Sequence, residues 1–66
     1  MNKFKDNLKK IRMANTLSQL ELAKRAGIEA THISHYECGR RMPNVHNLKK
    51  LSTTLNCTME ELLNED

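Results

Sequence analysis

Two short helical segments around a glycine constrain the fold of this 66-residue chain more than any other feature. Ser18 and Glu21 have the spacing of a capping box, in which each side chain bonds the backbone N–H of the other residue. A helix therefore begins at Gln19, and Gly27 supplies the left-handed residue that ends it. A second helix follows directly, so the sequence predicts two short helices around a glycine turn.

The second of these helices, over about residues 30–38, ends at Gly39 and has two chemically different faces. Helical spacing places Ile33, Tyr36 and Glu37 on one side. The other side carries only short or hydrogen-bonding side chains, which are Ala30, Thr31, Ser34, His35 and Cys38. A helix with such a face fits the major groove of DNA, where side chains read the edges of base pairs.

Similar signals divide the rest of the chain into helices. Glu29 occupies the cap position of the helix just described, Pro43 cannot continue a helix, and Asn44 caps the next one. Thr58 and Glu61 form a second capping box. Apolar residues mark the faces of a first helix ending near residue 14, a fourth and a fifth: Phe4, Leu8 and Ile11, then Leu48, Leu51 and Leu55, then Met59, Leu62 and Leu63. No stretch alternates as a strand does, so the sequence predicts an all-α, compact five-helix bundle that forms one domain over residues 1–66.

Length and charge restrict the function of the chain. Sixty-six residues leave no room for an effector domain or a deep active-site cleft, and such a small core favours self-association. Residues 1–41 hold nine Lys and Arg against four acidic residues, a net charge of +5. Residues 42–66 hold two Lys against four acidic residues, a net charge of −2. A polyanion is therefore expected to bind the first part of the chain, with the acidic end facing away.

The start of the chain and its two cysteines indicate a cytoplasmic protein. No apolar run follows Met1, so we expect neither a signal peptide nor a membrane segment. Cys38 and Cys57 form no CxxC pair, which fits reduced thiols in a cytoplasm.

Spaced residues across nearly the whole chain carry a resemblance to a known family. They are Leu17, Ser18, Gln19, Leu22, Ala23, Gly27 and Ile28, then Ile33, Tyr36, Glu37, Gly39, Arg40 and Pro43, then Leu48, Leu51, Leu55, Cys57, Met59, Glu61, Leu62 and Leu63. In these positions the chain resembles the helix-turn-helix domain of the lambda-repressor/Cro type, also called the xenobiotic-response-element type, over about residues 5–63. The resemblance implies a lambda-repressor-like fold and a DNA-binding transcriptional regulator that is not an enzyme.

The resemblance also implies roles for individual residues toward double-stranded DNA. The helix over residues 30–38 would be the recognition helix, with base readout by Ala30, Thr31, Ser34 and His35. Hydroxyl and imidazole groups donate to or accept from base edges, and methyl groups contact thymine. Phosphate contacts would come from Gln19, Arg40, Arg41 and Asn44. For Gln19, the free N–H groups and partial positive charge of a helix N-terminus favour such a contact.

Two further roles are structural. Arg12 and Glu37 match a pair that the family uses to join the first helix to the end of the third, and a partly buried carboxylate needs a cation. A recognition helix covers only a few base pairs, so we expect a homodimer on an inverted-repeat operator. The predicted dimer interface is at the C-terminal end, through Leu55, Met59, Leu62 and Leu63.

The spacing of His32, His35 and Cys38 suggests an alternative, a metal or redox sensor. Imidazole and thiolate suit zinc or copper, but one helix offers at most two well-placed ligands because residues at this spacing drift around its axis. We therefore predict no metal and no cofactor. No Ser-His-Asp order, glycine-rich phosphate loop or paired carboxylates indicate catalysis.

Two classes of function remain open at this stage. The first is a repressor of a phage or mobile element, or a restriction–modification controller, that occupies its operator without other domains. The second is an antitoxin or adaptor that uses the same fold to bind a protein, such as a toxin or an anti-repressor. The basic side of the recognition helix favours the first class.

Overall fold

The five-helix, all-α prediction is confirmed. A computed structural model of the protein describes residues 3–65 and contains α1 (Phe4–Ala14), α2 (Gln19–Ala26), α3 (Ala30–Glu37), α4 (Val45–Thr54) and α5 (Met59–Leu63). Within that range no residue is in a strand, and none of the helices has the length and apolar character needed to cross a membrane.

Three helices begin at side-chain caps. Ser18 Oγ accepts from Glu21 N at 3.0 Å, and Glu21 Oε1 accepts from Ser18 N at 2.9 Å, which completes the capping box of α2. The box of Thr58 and its partner three residues later starts α5 in the same way. Asn44 Oδ1 accepts from the backbone N–H at the third position of α4. Glu29 stands at the N-cap of α3, but its side chain makes no cap hydrogen bond.

The third helix ends two residues before Gly39, which has a positive φ of 79°. The N–H of Arg40 donates to the carbonyl of His35 at 3.0 Å, and the N–H of Gly39 donates to Tyr36, as in a Schellman motif. A Cβ on Gly39 would lie 3.1 Å from Cδ of Lys5, whose side chain covers this turn. Backbone conformation and close packing therefore both favour glycine here.

The core combines one face of every helix. α1 packs against α3 and α5, and α2 packs against α3 and α4. Phe4 meets the ring of Tyr36 edge-on, with centroids 6.0 Å apart. The largest fully buried side chains are Phe4, Leu8, Leu22, Ile33, Leu51 and Leu62. Burying side chains of this kind contributes about 1.5–3 kcal/mol each, which is the main favourable term in so small a protein.

The structure corrects half of the predicted dimer interface. Leu55 and Leu62 are only 2% and 0% exposed, because they complete the core of their own chain. Asn7 of α1 donates to the carbonyl of Leu62 at 3.0 Å and so holds α5 in place. Of the four residues, only Met59, 38% exposed, and the half-buried Leu63 leave apolar surface for a second copy.

The capping box of α2 makes part of the stability depend on pH. The hydrogen bond from the backbone N–H of Ser18 is the largest cause that lowers the pKa of Glu21. The ionised Glu21 side chain therefore contributes fully to the free energy of unfolding above the ordinary pKa of a glutamate, about 4.3. This contribution is lost as the pH falls through the lowered pKa of Glu21. We expect Glu21→Gln to show a shallower fall of melting temperature between pH 7 and pH 3 than the wild type.

Glu60→Gln provides the control, since Glu60 is an exposed glutamate in the first turn of α5 whose side chain does not form the cap bond there. Equal pH dependence of the melting temperature in the wild type and Glu21→Gln would contradict the assignment.

Candidate nucleic-acid interface

The exposed face of α3 is set by the two residues that anchor the helix in the core. Ile33 and Tyr36 are buried, so the opposite side of α3 faces solvent. Thr31 and Ser34 lie on that side and are exposed, and His35 is half-buried. The result is a helix face of short polar side chains without a Lys or Glu that would block close approach to a base pair.

Ala30, unlike Thr31 and Ser34, is not fully exposed. It is half-buried and packs against the hydrophobic core at the first position of α3. Its methyl group therefore has a structural role as well as the predicted contact. The four residues share the first two turns of α3, and their contacts with bases stay predictions.

The start of α4 lies next to the end of α3. Asn47 Nδ2 donates to the hydroxyl of Tyr36 at 3.1 Å, which links the two helices. Asn44 is exposed and uses Oδ1 for the cap of α4. That bond leaves its side-chain NH₂ group able to donate to a phosphate.

Arg40 and Arg41 lie in the exposed loop between α3 and α4, and within residues 3–65 neither forms an ion pair. Arg41 lines a cleft of about 370 Å³ together with Lys5, Cys38 and Met42. No local pattern predicts that Lys5 lies here, because it is more than 30 residues away in the chain. Two cations from distant segments therefore share one surface beside α3.

Arg12 and Glu37 form a two-pronged ion pair between α1 and the last residue of α3. Arg12 Nε donates to Glu37 Oε2 at 2.6 Å, and Nη2 donates to Oε1 at 2.9 Å. Arg12 Nη1 also donates to the carbonyl of Leu17 at 2.7 Å. The two side chains are only 10% and 4% exposed. The hydrogen bond with Glu37 raises the pKa of Arg12 above its ordinary value, so the guanidinium stays charged.

Gln19 joins this pair, which the sequence did not predict. Its Nε2 donates to Glu37 Oε1 at 3.1 Å, so that oxygen accepts from both Gln19 and Arg12. Gln19 is the first residue of α2 and is half-buried. The predicted phosphate contact and the predicted structural pair are therefore parts of one hydrogen-bond network.

The histidines and cysteines do not assemble into a ligand set. Over residues 3–65, no three His, Cys, Asp or Glu side chains are grouped so that they could hold one metal ion. His32 packs against the ring of Tyr36 at 6.4 Å and lies 3.9 Å from a carboxylate oxygen of Glu29. Cys38 Sγ donates to the carbonyl of His35. Burial raises the pKa of the Cys57 thiol, which lowers its reactivity.

A comparison with protein-family models decides the family, since the model described as helix-turn-helix matches residues 8–62. The chain belongs to the helix-turn-helix family. Among curated relatives, Control protein C.MunI of Mycoplasma sp is 36% identical over 64 residues, which cover 96% of this chain and 86% of that protein. The transcriptional activator BcrR of Enterococcus faecalis is 35% identical over 60 residues. These cover 91% of this chain but only 29% of BcrR.

Solved helix-turn-helix structures show the same fold. The restriction-modification controller protein C.AhdI from Aeromonas hydrophila superposes with a TM-score of 0.88 at 34% identity, over 92% of each chain. The P22 c2 repressor, in a complex with a synthetic operator, superposes with a TM-score of 0.90 at 29% identity. That match covers all of both chains. The relatives with a stated role are transcriptional regulators of both signs, an activator and a repressor among them.

Proposed function

We propose that this chain is a sequence-specific DNA-binding transcriptional regulator, a phage-type repressor or a restriction–modification controller, that acts in the cytoplasm without catalysis. The observation that supports it most is the match, over all of both chains, to the solved chain of the P22 c2 repressor, whose structure contains a synthetic operator. The exposed polar face of α3 fits the same role, as do Arg40 and Arg41 beside it, which form no ion pair within the part of the chain that the structure describes. C.MunI and C.AhdI support the controller variant of this proposal.

In the proposed complex, α3 lies in the major groove and contacts base edges. Thr31 and Ser34 donate to or accept from bases, His35 donates to guanine, and the methyl groups of Ala30 and Thr31 contact thymine. Gln19, Arg40, Arg41 and Asn44 contact phosphates and fix the position of α3 on the duplex.

Base readout is tested by single alanine substitutions on α3. We expect Ser34→Ala or His35→Ala to cost about 1–3 kcal/mol of operator binding where the lost contact is a good one, with little loss on random DNA. The operator is selected from a random duplex library with the wild-type protein, and affinities are measured by fluorescence anisotropy at one salt concentration.

Thr53→Ala is the matched control, because Thr53 is an exposed residue in the last turn of α4, outside the proposed interface. Equal losses on the operator and on random DNA would argue against readout by α3.

Phosphate contacts by the loop after α3 are tested by salt dependence. Replacing both Arg40 and Arg41 with Ala should weaken binding to all sequences. The slope of log affinity against log salt should fall by up to about two units, because each phosphate neutralised by a cation releases counterions. The matched control is Lys49→Ala with Lys50→Ala, which removes the same charge from α4. If the variant that lacks Arg40 and Arg41 keeps the wild-type slope, as the control does, the two arginines do not contact phosphates.

We also propose that the regulator binds DNA as a homodimer, with half-sites about 34 Å apart. Met59 and Leu63 supply the apolar contact, and an interface this small is weak without DNA. Met59→Glu would place like charges across the two-fold axis. We expect it to lower operator affinity and the fraction of dimer in sedimentation, while Met13→Glu, an exposed methionine on α1, should change neither. A wild type that sediments as a monomer on a complete operator would rule the dimer out.

The same fold in an antitoxin or adaptor would predict a different outcome. A stoichiometric protein partner in a pull-down, together with no salt-sensitive binding to any duplex, would replace the regulator proposal.

A further inference from the structure

We propose that Glu37 is a positioning residue for DNA binding: its carboxylate fixes which end of the Gln19 amide faces an incoming phosphate. This inference rests on the proposed function, because it concerns the phosphate contact assigned to Gln19. It gives Glu37 a role beyond joining α3 to α1. The contacts that carry it are the three hydrogen bonds accepted by Glu37 from Gln19 and Arg12.

The chemistry of the amide explains why a carboxylate is needed. A glutamine side chain ends in a carbonyl oxygen and an NH₂ group, and rotation by 180° exchanges the two. Only the NH₂ group stabilises a phosphate, since the carbonyl oxygen would face another negatively charged oxygen. An exposed glutamine at the start of a helix samples both orientations. The Gln19 amide therefore needs a partner that accepts and never donates.

Glu37 is such a partner. An ionised carboxylate has only acceptor oxygens, so a carbonyl oxygen of Gln19 in place of Nε2 would be repelled at the observed 3.1 Å. The NH₂ group carries two N–H bonds. One donates to Glu37 Oε1, and the second stays available for a phosphate oxygen.

Arg12 makes this arrangement compatible with DNA. It donates to both oxygens of Glu37, so the carboxylate that orients Gln19 is already neutralised. Without that cation, Glu37 would place an uncompensated negative charge beside the phosphate. Arg12 is itself held by the carbonyl of Leu17, two residues before Gln19 in the chain. The amide is thus supported from α1, from the loop before α2 and from α3.

The test compares the loss caused by Gln19→Ala in two backgrounds. The first is the wild type, and the second is the double variant Arg12→Met with Glu37→Met. The double variant exchanges the ion pair for apolar side chains of similar length and leaves the net charge unchanged. Such exchanges are often neutral or stabilising. Circular dichroism and thermal melting verify that both backgrounds are folded.

The probe is a short duplex of random sequence, because a phosphate contact does not depend on the operator. In the wild type, Gln19→Ala should weaken binding about tenfold, as for a lost hydrogen bond to a charged group. In the double-methionine background it should weaken binding about fivefold or less, because an amide that is no longer oriented presents its NH₂ group only about half of the time. Equal fold-losses in both backgrounds would overturn the inference.

Asn7→Ala provides the control substitution. Asn7 also carries an amide that donates to carbonyl groups of a distant segment, those of Leu62 and Asn64, at 3.0 and 2.7 Å. These bonds hold α5 and not the proposed DNA-binding surface. Its effect on DNA affinity should be small and equal in the two backgrounds. An Asn7 effect that depends on the background as strongly as the Gln19 effect would show a general change of fold, and would also overturn the inference.

A second measurement needs no DNA. In the free protein, the two side-chain N–H resonances of Gln19 should lie further apart than those of an exposed glutamine, because one of the protons bonds the Glu37 carboxylate. Both should move toward the values of an exposed glutamine in the double variant. Identical Gln19 resonances in the two proteins would overturn the inference. If the wild type binds no duplex, that result would instead contradict the proposed function, and with it any role of Gln19 toward phosphate.

Discussion

The arrangement of the helix-turn-helix depends on one buried guanidinium. Arg12 uses Nε and Nη2 for Glu37 and Nη1 for the carbonyl of Leu17, so a single side chain fixes α1, the loop that enters α2 and the end of α3. A charge this deeply buried is tolerated only because its donors have acceptors in good geometry. The angle at which α3 meets the rest of the bundle is therefore set by directional bonds at one end and by the apolar contacts of Ile33 and Tyr36 along its length.

The helices were predictable because the signals that start and end them are local. Ser18 with Glu21, Thr58 with Glu61, Asn44 and the two glycines each act within a few residues, and the structure has all of them in their expected places. The ion pair of Arg12 and Glu37 was expected from resemblance to the family, since no sequence spacing relates residues 25 positions apart.

The errors and omissions came from contacts between distant segments. The apolar spacing of α5 shows that Leu62 belongs to a hydrophobic face, but the sequence does not say whether that face meets α1 or a second copy. Helical spacing places Ala30 on the outward face of α3, but it does not show that Ala30 also packs on the core. The bond from Gln19 to Glu37 and the position of Lys5 over Gly39 depend on how the helices pack, which no local pattern encodes.

The contact between α1 and α5 has a consequence for the order of events during synthesis. The first helix emerges early from the ribosome, but its apolar face is completed by Leu62 and its Asn7 amide bonds carbonyl groups more than 50 residues later. Translation must therefore pass residue 62 before the core closes. A nascent chain that already exposes α2 and α3 still lacks the contacts of α5 with α1 and α4 that complete the core.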